Sequence, residues 1–239
     1  MAVTPADFAE QCAWLARRRL VVPLAEAVER LDHSGRLPRG VAALTFDDGF
    51  AELDEHAAPV LARHRLPSTV FLVAQTLAEG GRDVDWVDTP GDAPLRTLTL
   101  DQVRDLQQAG VDFQSHSWAH RDLTQLGYDA CVSDLRSSRE LLSDLLGRRV
   151  SMLAYPRGRH DATVRAAAER AGYTHAFALP ERGESPSRFA IPRVGIHRGN
   201  TLATVRAKSA RPYLAVRTGP AYSLARRLVG PRAGPPTTR

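Results

Sequence analysis

Four side chains of the sequence have the chemistry of a metal centre. Asp47 and Asp48 close the apolar run VAALTF, and His116 and His120 lie four residues apart in SHSWAH. Two adjacent carboxylates repel each other unless a cation lies close to them. One carboxylate and two neutral imidazoles are a common ligand set for zinc or another divalent metal, with positions left for water and substrate. We therefore predict a metal site in which one Asp is a ligand and the other acts as a general base.

The elements that must position these residues follow from the spacing of apolar side chains. Apolar runs predict strands over residues 41–46, 68–74, 111–117, 151–156, 174–179 and 189–198. Helical spacing predicts helices over residues 6–19, 23–34, 51–64, 99–110, 131–147 and 161–172. Strands that alternate with helices indicate parallel βα units, and either a barrel or an open doubly wound sheet would fit. No glycine-rich dinucleotide or phosphate-loop motif follows a strand.

The polar residues of interest follow the predicted strands directly. Asp47 and Asp48 follow the first strand and HSWAH the third, while YPRG (155–158) follows the fourth and IHR (196–198) the last. Because the carboxyl ends of parallel strands meet at one edge of a sheet, we expect these groups to lie together there.

Three motifs resemble those of the polysaccharide deacetylases, the NodB-homology domain of carbohydrate esterase family 4. They are LTFDDGF, SHSWAH and AYPRG, and the resemblance runs from about Val41 to Ile196. It implies an α/β fold, a distorted (β/α) barrel, that hydrolyses the linear amide of N-acetylated amino sugars. With the resemblance, we expect a helical lead-in over 1–40, a catalytic domain over 41–205, and a basic, partly disordered tail over 206–239.

The resemblance also implies roles for the site residues. Asp47 matches the position of the catalytic base, and Asp48, His116 and His120 match the metal ligands. Ser117 matches a hydroxyl that supports the ligand loop. The implied cofactor is a divalent metal, with zinc favoured and cobalt, nickel or manganese as alternatives.

The third motif departs from the family's R-x-P-Y pattern. The oxyanion donor would be the backbone N–H of Arg157. Ala154 stands where the family often has an arginine, so Arg157 or Arg193 would orient Asp47. His197 is the best-placed candidate for the general acid, ahead of His160 and His175. The family's fourth motif, with its Asp and Trp, is not recognisable.

Several alternatives stay open at this stage. The fold could bind carbohydrate without cleaving it, or the site could be that of a two-His, one-carboxylate iron oxygenase, which βα alternation disfavours. The substrate could carry O-acetyl rather than N-acetyl groups, on a polysaccharide, an oligosaccharide or a glycan precursor. Trp86 and Trp118 could stack on its sugar rings.

The charge of the chain is unevenly distributed. The first 184 residues contain 21 basic and 27 acidic residues, while the last 55 contain eleven basic residues and no acid. This segment would suit an anionic membrane surface or an acidic glycan, and nucleic acid only non-specifically. A solvated, arginine-rich tail is the alternative.

The chain's ends and cysteines bear on its compartment. No apolar stretch is long enough to span a membrane, and the first 20 residues carry acids before arginines, the reverse of a secretory signal. We expect a cytoplasmic protein, peripheral at the membrane as an alternative, unless export depends on a signal not visible in the chain. Cys12 and Cys131 have no metal-type spacing and read as buried thiols.

Overall fold

Eight helices and eight strands frame the part of the chain that the computed structural model describes, residues 3–78, 80, 86, 95–180, 186–210, 213 and 214. The helices are α1 Pro5–Arg18, α2 Leu24–Ser34, α3 Ala58–His64, α4 Ala74–Ala78, α5 Leu100–Gln108, α6 Tyr128–Leu146, α7 Ala162–Arg170 and α8 Leu202–Lys208. The strands are β1 Leu20–Val21, β2 Val41–Ala42, β3 Leu44–Phe46, β4 Ser68–Leu72, β5 Asp112–Ser115, β6 Met152–Ala154, β7 His175–Ala178 and β8 Ile191–Pro192.

Six parallel strands, β3 to β8, form one curled sheet in chain order. Each strand pairs with the next one along the chain, so every carboxyl end lies at the same edge. A sheet that twists in one direction curls when its strands are added in order, and helices cover its outer face. Strands β1 and β2 form a separate parallel pair in which Leu20 lies opposite Val41. The predicted α/β barrel is confirmed as a curled half-barrel.

The inner face of the curled sheet is filled by large apolar side chains. Phe71 of β4 and Phe177 of β7 pack with ring centroids 5.6 Å apart, and Leu24 and Val28 of α2 pack against the same cluster. Strand β4 is buried along its whole length, as expected of a parallel strand covered on both faces. Helix α2 thus belongs to the core of the fold.

Several elements differ from their predicted form. The predicted strand 41–46 is divided at Ala43 into β2 and β3, and the predicted strand 189–198 shortens to Ile191–Pro192. The predicted helix 51–64 begins with a π-helical turn, Leu53–Ala57, and becomes α-helical where Pro59 occupies the first turn of α3. Helices α4 and α8 and strand β1 were not predicted, because such short elements show little periodicity and depend on tertiary contacts.

Two further predictions concern the cysteines and the membrane. Cys12 and Cys131 are both fully buried and unpaired, and burial raises the pKa of the Cys12 thiol to about 12. Within the described ranges, no helix has the length and apolar character to cross a bilayer. Most of the predicted tail, 206–239, lies outside the described residues.

Candidate active site

Asp48, His116 and His120 come together at the carboxyl edge of the sheet. Their ligand atoms lie within 4.8 Å of one another. Oδ1 of Asp48 lies 3.7 Å from Nε2 of His116 and 3.4 Å from Nε2 of His120. Both imidazoles are buried, with 1% and 8% of their surface exposed. The predicted ligand set is therefore one spatial cluster, although its members are about 70 residues apart in the chain.

The protonation of the two histidines suits a divalent cation. Nδ1 of His116 lies 2.7 Å from the carbonyl oxygen of Ala154. Because a carbonyl can only accept, Nδ1 carries the proton and the lone pair of Nε2 is directed toward Asp48. Burial, together with the nearby His116 and Arg157, lowers the pKa of His120 to about 3, so that this ring is neutral.

Asp48 completes a donor set that fits a metal. Burial raises the pKa of its carboxyl, an effect that His116 offsets in part and the neighbouring Asp47 reinforces. A bound cation would favour the ionised carboxylate in this position. Two neutral imidazoles and one carboxylate are nitrogen and oxygen donors of the kind that zinc and related metals take.

The loop between the two histidines is held by hydrogen bonds. The backbone N–H of His120 donates to Oγ of Ser117 over 3.1 Å, and the N–H of Trp118 donates to Oδ1 of Asp134 in α6 over 3.0 Å. The N–H of His116 donates to a carbonyl of β4. These bonds connect the loop to two neighbouring elements and fix the separation of the imidazoles.

Backbone strain is concentrated at this edge. Of the five non-glycine residues with positive φ in the described ranges, Arg65 caps a helix and the other four belong to the predicted site: Asp48 (70°), Ser117 (70°), His120 (55°) and Arg157 (57°). Left-handed backbone is unfavourable for L-residues with a side chain and persists where the surrounding structure imposes it. Such strain is typical of functional sites.

Asp47 is paired with Arg193 rather than exposed to the metal ligands alone. The two guanidinium nitrogens Nη1 and Nη2 lie 2.7 and 2.8 Å from Oδ1 and Oδ2, a bidentate pair. Burial by itself would raise the pKa of Asp47, but Arg193 and His116 hold it at about 2. Of the two arginines considered from sequence, Arg193 makes this pair. Asp47 is therefore ionised at neutral pH.

Trp86 has a role that the sequence did not indicate. Its indole Nε1–H donates to Oδ1 of Asp48 over 3.0 Å, and its ring stacks on His120 with centroids 5.1 Å apart. Nη2 of Arg157 donates to the Trp86 carbonyl over 3.0 Å. Sequence reasoning assigned Trp86 to sugar stacking, because a tryptophan in a polar loop gives no sign of which group it will meet.

The candidate acids occupy different parts of the fold. His197 is exposed, and its Nε2 lies so close to Gly195 that a Cβ there would be 2.7 Å away. His160 is buried and stacks on Tyr155. His175 begins β7, at the amino edge of the sheet, and its Nε2 lies 3.2 Å from Asp32. Of the three, His175 is therefore at the wrong edge for this site.

Comparison with known proteins agrees with this geometry. The model of the family described as polysaccharide deacetylase matches residues 34–176, more than half of the chain. This range contains Asp47, Asp48, His116 and His120, and it ends before Arg193.

Individual relatives are distant in sequence. A Bacillus subtilis protein named as a candidate polysaccharide deacetylase is 25% identical over 65% of this chain and 51% of its own length. The poly-beta-1,6-N-acetyl-D-glucosamine N-deacetylase of Staphylococcus epidermidis is 24% identical over 80% of this chain and 67% of its own. The chain thus spans about half the length of the Bacillus relative.

A solved structure has the same fold. A Streptococcus pyogenes deacetylase in complex with acetate superposes with a TM-score of 0.71 at 23% identity, covering 87% of this chain and 88% of that one.

Proposed function

Since this chain belongs to the polysaccharide deacetylase family, we propose that it is a metal-dependent hydrolase that removes N-acetyl groups from an amino-sugar-containing glycan. The observation that carries the proposal is the ionised Asp47 next to the buried group Asp48, His116 and His120. A base and a metal-ligand set in adjacent positions are the minimum that amide hydrolysis by activated water requires.

In this proposal Asp48, His116 and His120 would hold a divalent metal, zinc being favoured by the two nitrogen donors. When bound, such a cation would lower the pKa of a coordinated water and polarise the acyl carbonyl of the substrate. Asp47 would take the proton of the attacking water. Its low pKa makes it a weak base, which suits a proton donor that is itself acidified. Arg193 would keep the carboxylate ionised and oriented.

Two further groups would complete the reaction. The backbone N–H of Arg157, in its left-handed turn, is the proposed donor to the oxyanion that forms at the acyl carbon. His197 is the proposed acid that protonates the amine as the carbon–nitrogen bond breaks and acetate is released. Since its side chain is exposed, we expect His197→Gln to slow the release of the amine without lowering metal content.

The substrate class rests on the relatives. The Staphylococcus epidermidis relative is named for poly-beta-1,6-N-acetyl-D-glucosamine, and a β-linked N-acetylglucosamine polymer or oligomer is the first substrate to test. We also propose that residues 41–205 form the catalytic domain, with 1–40 packed on it and 206–239 as a basic tail. An O-acetylated glycan is the second substrate to test.

Acetate release and metal content test the proposal together. The purified chain is assayed for acetate from N-acetylglucosamine oligomers before and after treatment with a chelator, and its metal is measured by elemental analysis. We expect one divalent ion per chain, activity that is lost on chelation, and recovery with zinc. Asp47→Asn should lower kcat by a factor of about 100 or more while the metal is retained.

The matched control is Asp101→Asn, because Asp101 is an exposed carboxylate of α5. It should leave both activity and metal content unchanged. Full activity in Asp47→Asn, or in protein without metal, would contradict the mechanism. Glycan binding without acetate release would favour the carbohydrate-binding module instead.

A further inference from the structure

A surface rich in arginine lies at the end of the fold opposite Asp47. Arg39 precedes strands β2 and β3, whereas Asp47 follows them. Because strands of a parallel sheet run in one direction, the two residues belong to opposite ends. The residues that form this arginine surface are Arg17, Arg18, Arg19, Leu20, Arg39 and Arg206.

Strand pairing and ring contacts bring these residues together. The N–H of Leu20 donates to the carbonyl of Gly40 over 2.8 Å, which sets the last turn of α1 beside Arg39. The guanidinium groups of Arg19 and Arg206 lie 4.8 and 5.9 Å from the ring centre of Trp14. Helices α1 and α8 therefore present their basic ends on one surface, although they lie almost 190 residues apart.

The charge of this surface is not neutralised. Within the described ranges, none of its five arginines forms an ion pair with a carboxylate, whereas Arg30, Arg148 and Arg159 each pair with one elsewhere. All but Arg19 are classed as exposed. Neighbouring positive charges without counterions repel one another, and an anionic partner would relieve that repulsion. Residues 211–239 add six arginines and no acid to the sequence that follows α8.

The apolar residue in this surface indicates which anion. Leu20 has 57% of its surface exposed, the largest value for a bulky apolar side chain among the described residues. A soluble polyanion would gain nothing from Leu20, whereas the interfacial region of a bilayer accepts both an apolar side chain and the surrounding arginines. Trp14 is 6% exposed beneath Arg19 and Arg206, so it offers no ring on which a sugar could stack.

We propose that the arginine surface docks the protein on a membrane that contains anionic lipids. The guanidinium groups would bind lipid phosphates, often in bidentate fashion, and Leu20 would enter the boundary between headgroups and acyl chains. Asp47 and the metal ligands would then face away from the bilayer, toward a glycan in the aqueous phase. The proposal does not depend on the hydrolytic activity.

Vesicle flotation with the full-length protein tests this docking. The vesicles contain equal parts of phosphatidylglycerol and phosphatidylcholine, or phosphatidylcholine alone. We expect binding to the anionic vesicles only, and weaker binding as salt is raised. The double variant Arg18→Glu/Arg39→Glu should reduce the partition coefficient about tenfold or more. Leu20→Ser should reduce it by a smaller factor.

The matched control is Arg149→Glu/Arg170→Glu. Arg170, like Arg18, is an exposed arginine in the last turn of a helix, and Arg149, like Arg39, is exposed in the turn before a strand. This control should keep wild-type binding, and circular dichroism should show the same folded spectrum for both doubles. Equal losses in the two doubles, no binding to anionic vesicles, or equal competition by a soluble sulfated polysaccharide in wild type and Leu20→Ser would overturn the proposal.

Discussion

Asp47 and Asp48 are adjacent in sequence but have different partners in the structure. Asp47 receives both nitrogens of the Arg193 fork, and Asp48 receives the indole N–H of Trp86. The left-handed backbone at Asp48 (φ 70°) breaks the strand geometry between them and separates the two carboxylates. Groups that hydrogen-bond to a metal ligand fix its orientation and affect metal affinity. Trp86 is therefore a positioning residue for Asp48.

Trp86→Phe separates the two contacts of this side chain, because phenylalanine keeps an aromatic ring for His120 and removes the N–H. We expect affinity for zinc, measured by competition with a chromophoric chelator, to fall by a factor of about 10 or more. Trp118→Phe is the control, since the contact printed for Trp118 at this site is made by its backbone N–H. Equal zinc affinities in the two variants would show that the indole hydrogen bond does not position Asp48.

The turn after β3 is the element that directs both carboxylates. Gly49 has φ 70°, and a Cβ on it would lie 2.6 Å from Cδ2 of Leu72 in the buried strand β4. The next residues turn away at once and bond to residues 96–98, through Ala51 to Arg96 and Leu98 to Gly49. A glycine is thus required both for its conformation and for its close approach to β4.

Gly49→Ala and Gly35→Ala measure these two requirements separately. Both glycines have positive φ, but a Cβ on Gly35 would meet no atom within 4 Å. Both variants should lose about 1 kcal/mol from backbone strain, and Gly49→Ala about 1–3 kcal/mol more from overpacking. Urea unfolding of the metal-free proteins gives both values. If the two variants lose the same stability, the contact with Leu72 has no energetic role.

At the scale of the whole molecule, the Asp47–Arg193 pair links the two edges of the curled sheet. Asp47 follows β3 and Arg193 follows β8, the first and last strands in the sheet order. Nη1 of Arg193 also lies 3.4 Å from Oγ1 of Thr45, and its guanidinium lies 5.3 Å from the ring centre of Phe71. The pair therefore couples closure of the half-barrel to the protonation of Asp47.

This coupling predicts a pH dependence of stability in metal-free protein. The pKa of Asp47 falls from its ordinary value of 3.8 to about 2 on folding. The pair therefore stabilises the native state above pH 3.8, and this contribution is lost as the pH falls toward 2. Because Asp47 is partly exposed, solvent screening limits the contribution to about 1 kcal/mol.

Arg193→Met should remove that contribution at neutral pH and flatten the fall in stability below pH 4, as measured by urea unfolding at a series of pH values. Arg149→Met, at an exposed arginine, should reproduce the wild-type curve. A wild-type pH profile in Arg193→Met would contradict the link between the two edges.

Local pattern was enough to predict most of the frame. The capping box at Thr99, the C-cap glycines after α2 and α6, and the apolar strand β4 are signals carried by neighbouring residues, and each element formed within a few residues of its prediction. The short elements β1, α4 and α8 could not be predicted in this way. They are stabilised by contacts with distant segments, as Leu20 is by Gly40.

For the site, the sequence by itself determined which groups could bind a metal, because donor type and position after a strand are local properties of Asp48, His116 and His120. The partners of these groups were decided by tertiary structure alone. Arg193 reaches Asp47 only because the sheet curls until its last strand approaches its first, and Trp86 reaches Asp48 from a loop of no recognisable pattern. Long-range contacts of this kind depend on the path of the whole chain, which residue types and spacing do not encode locally.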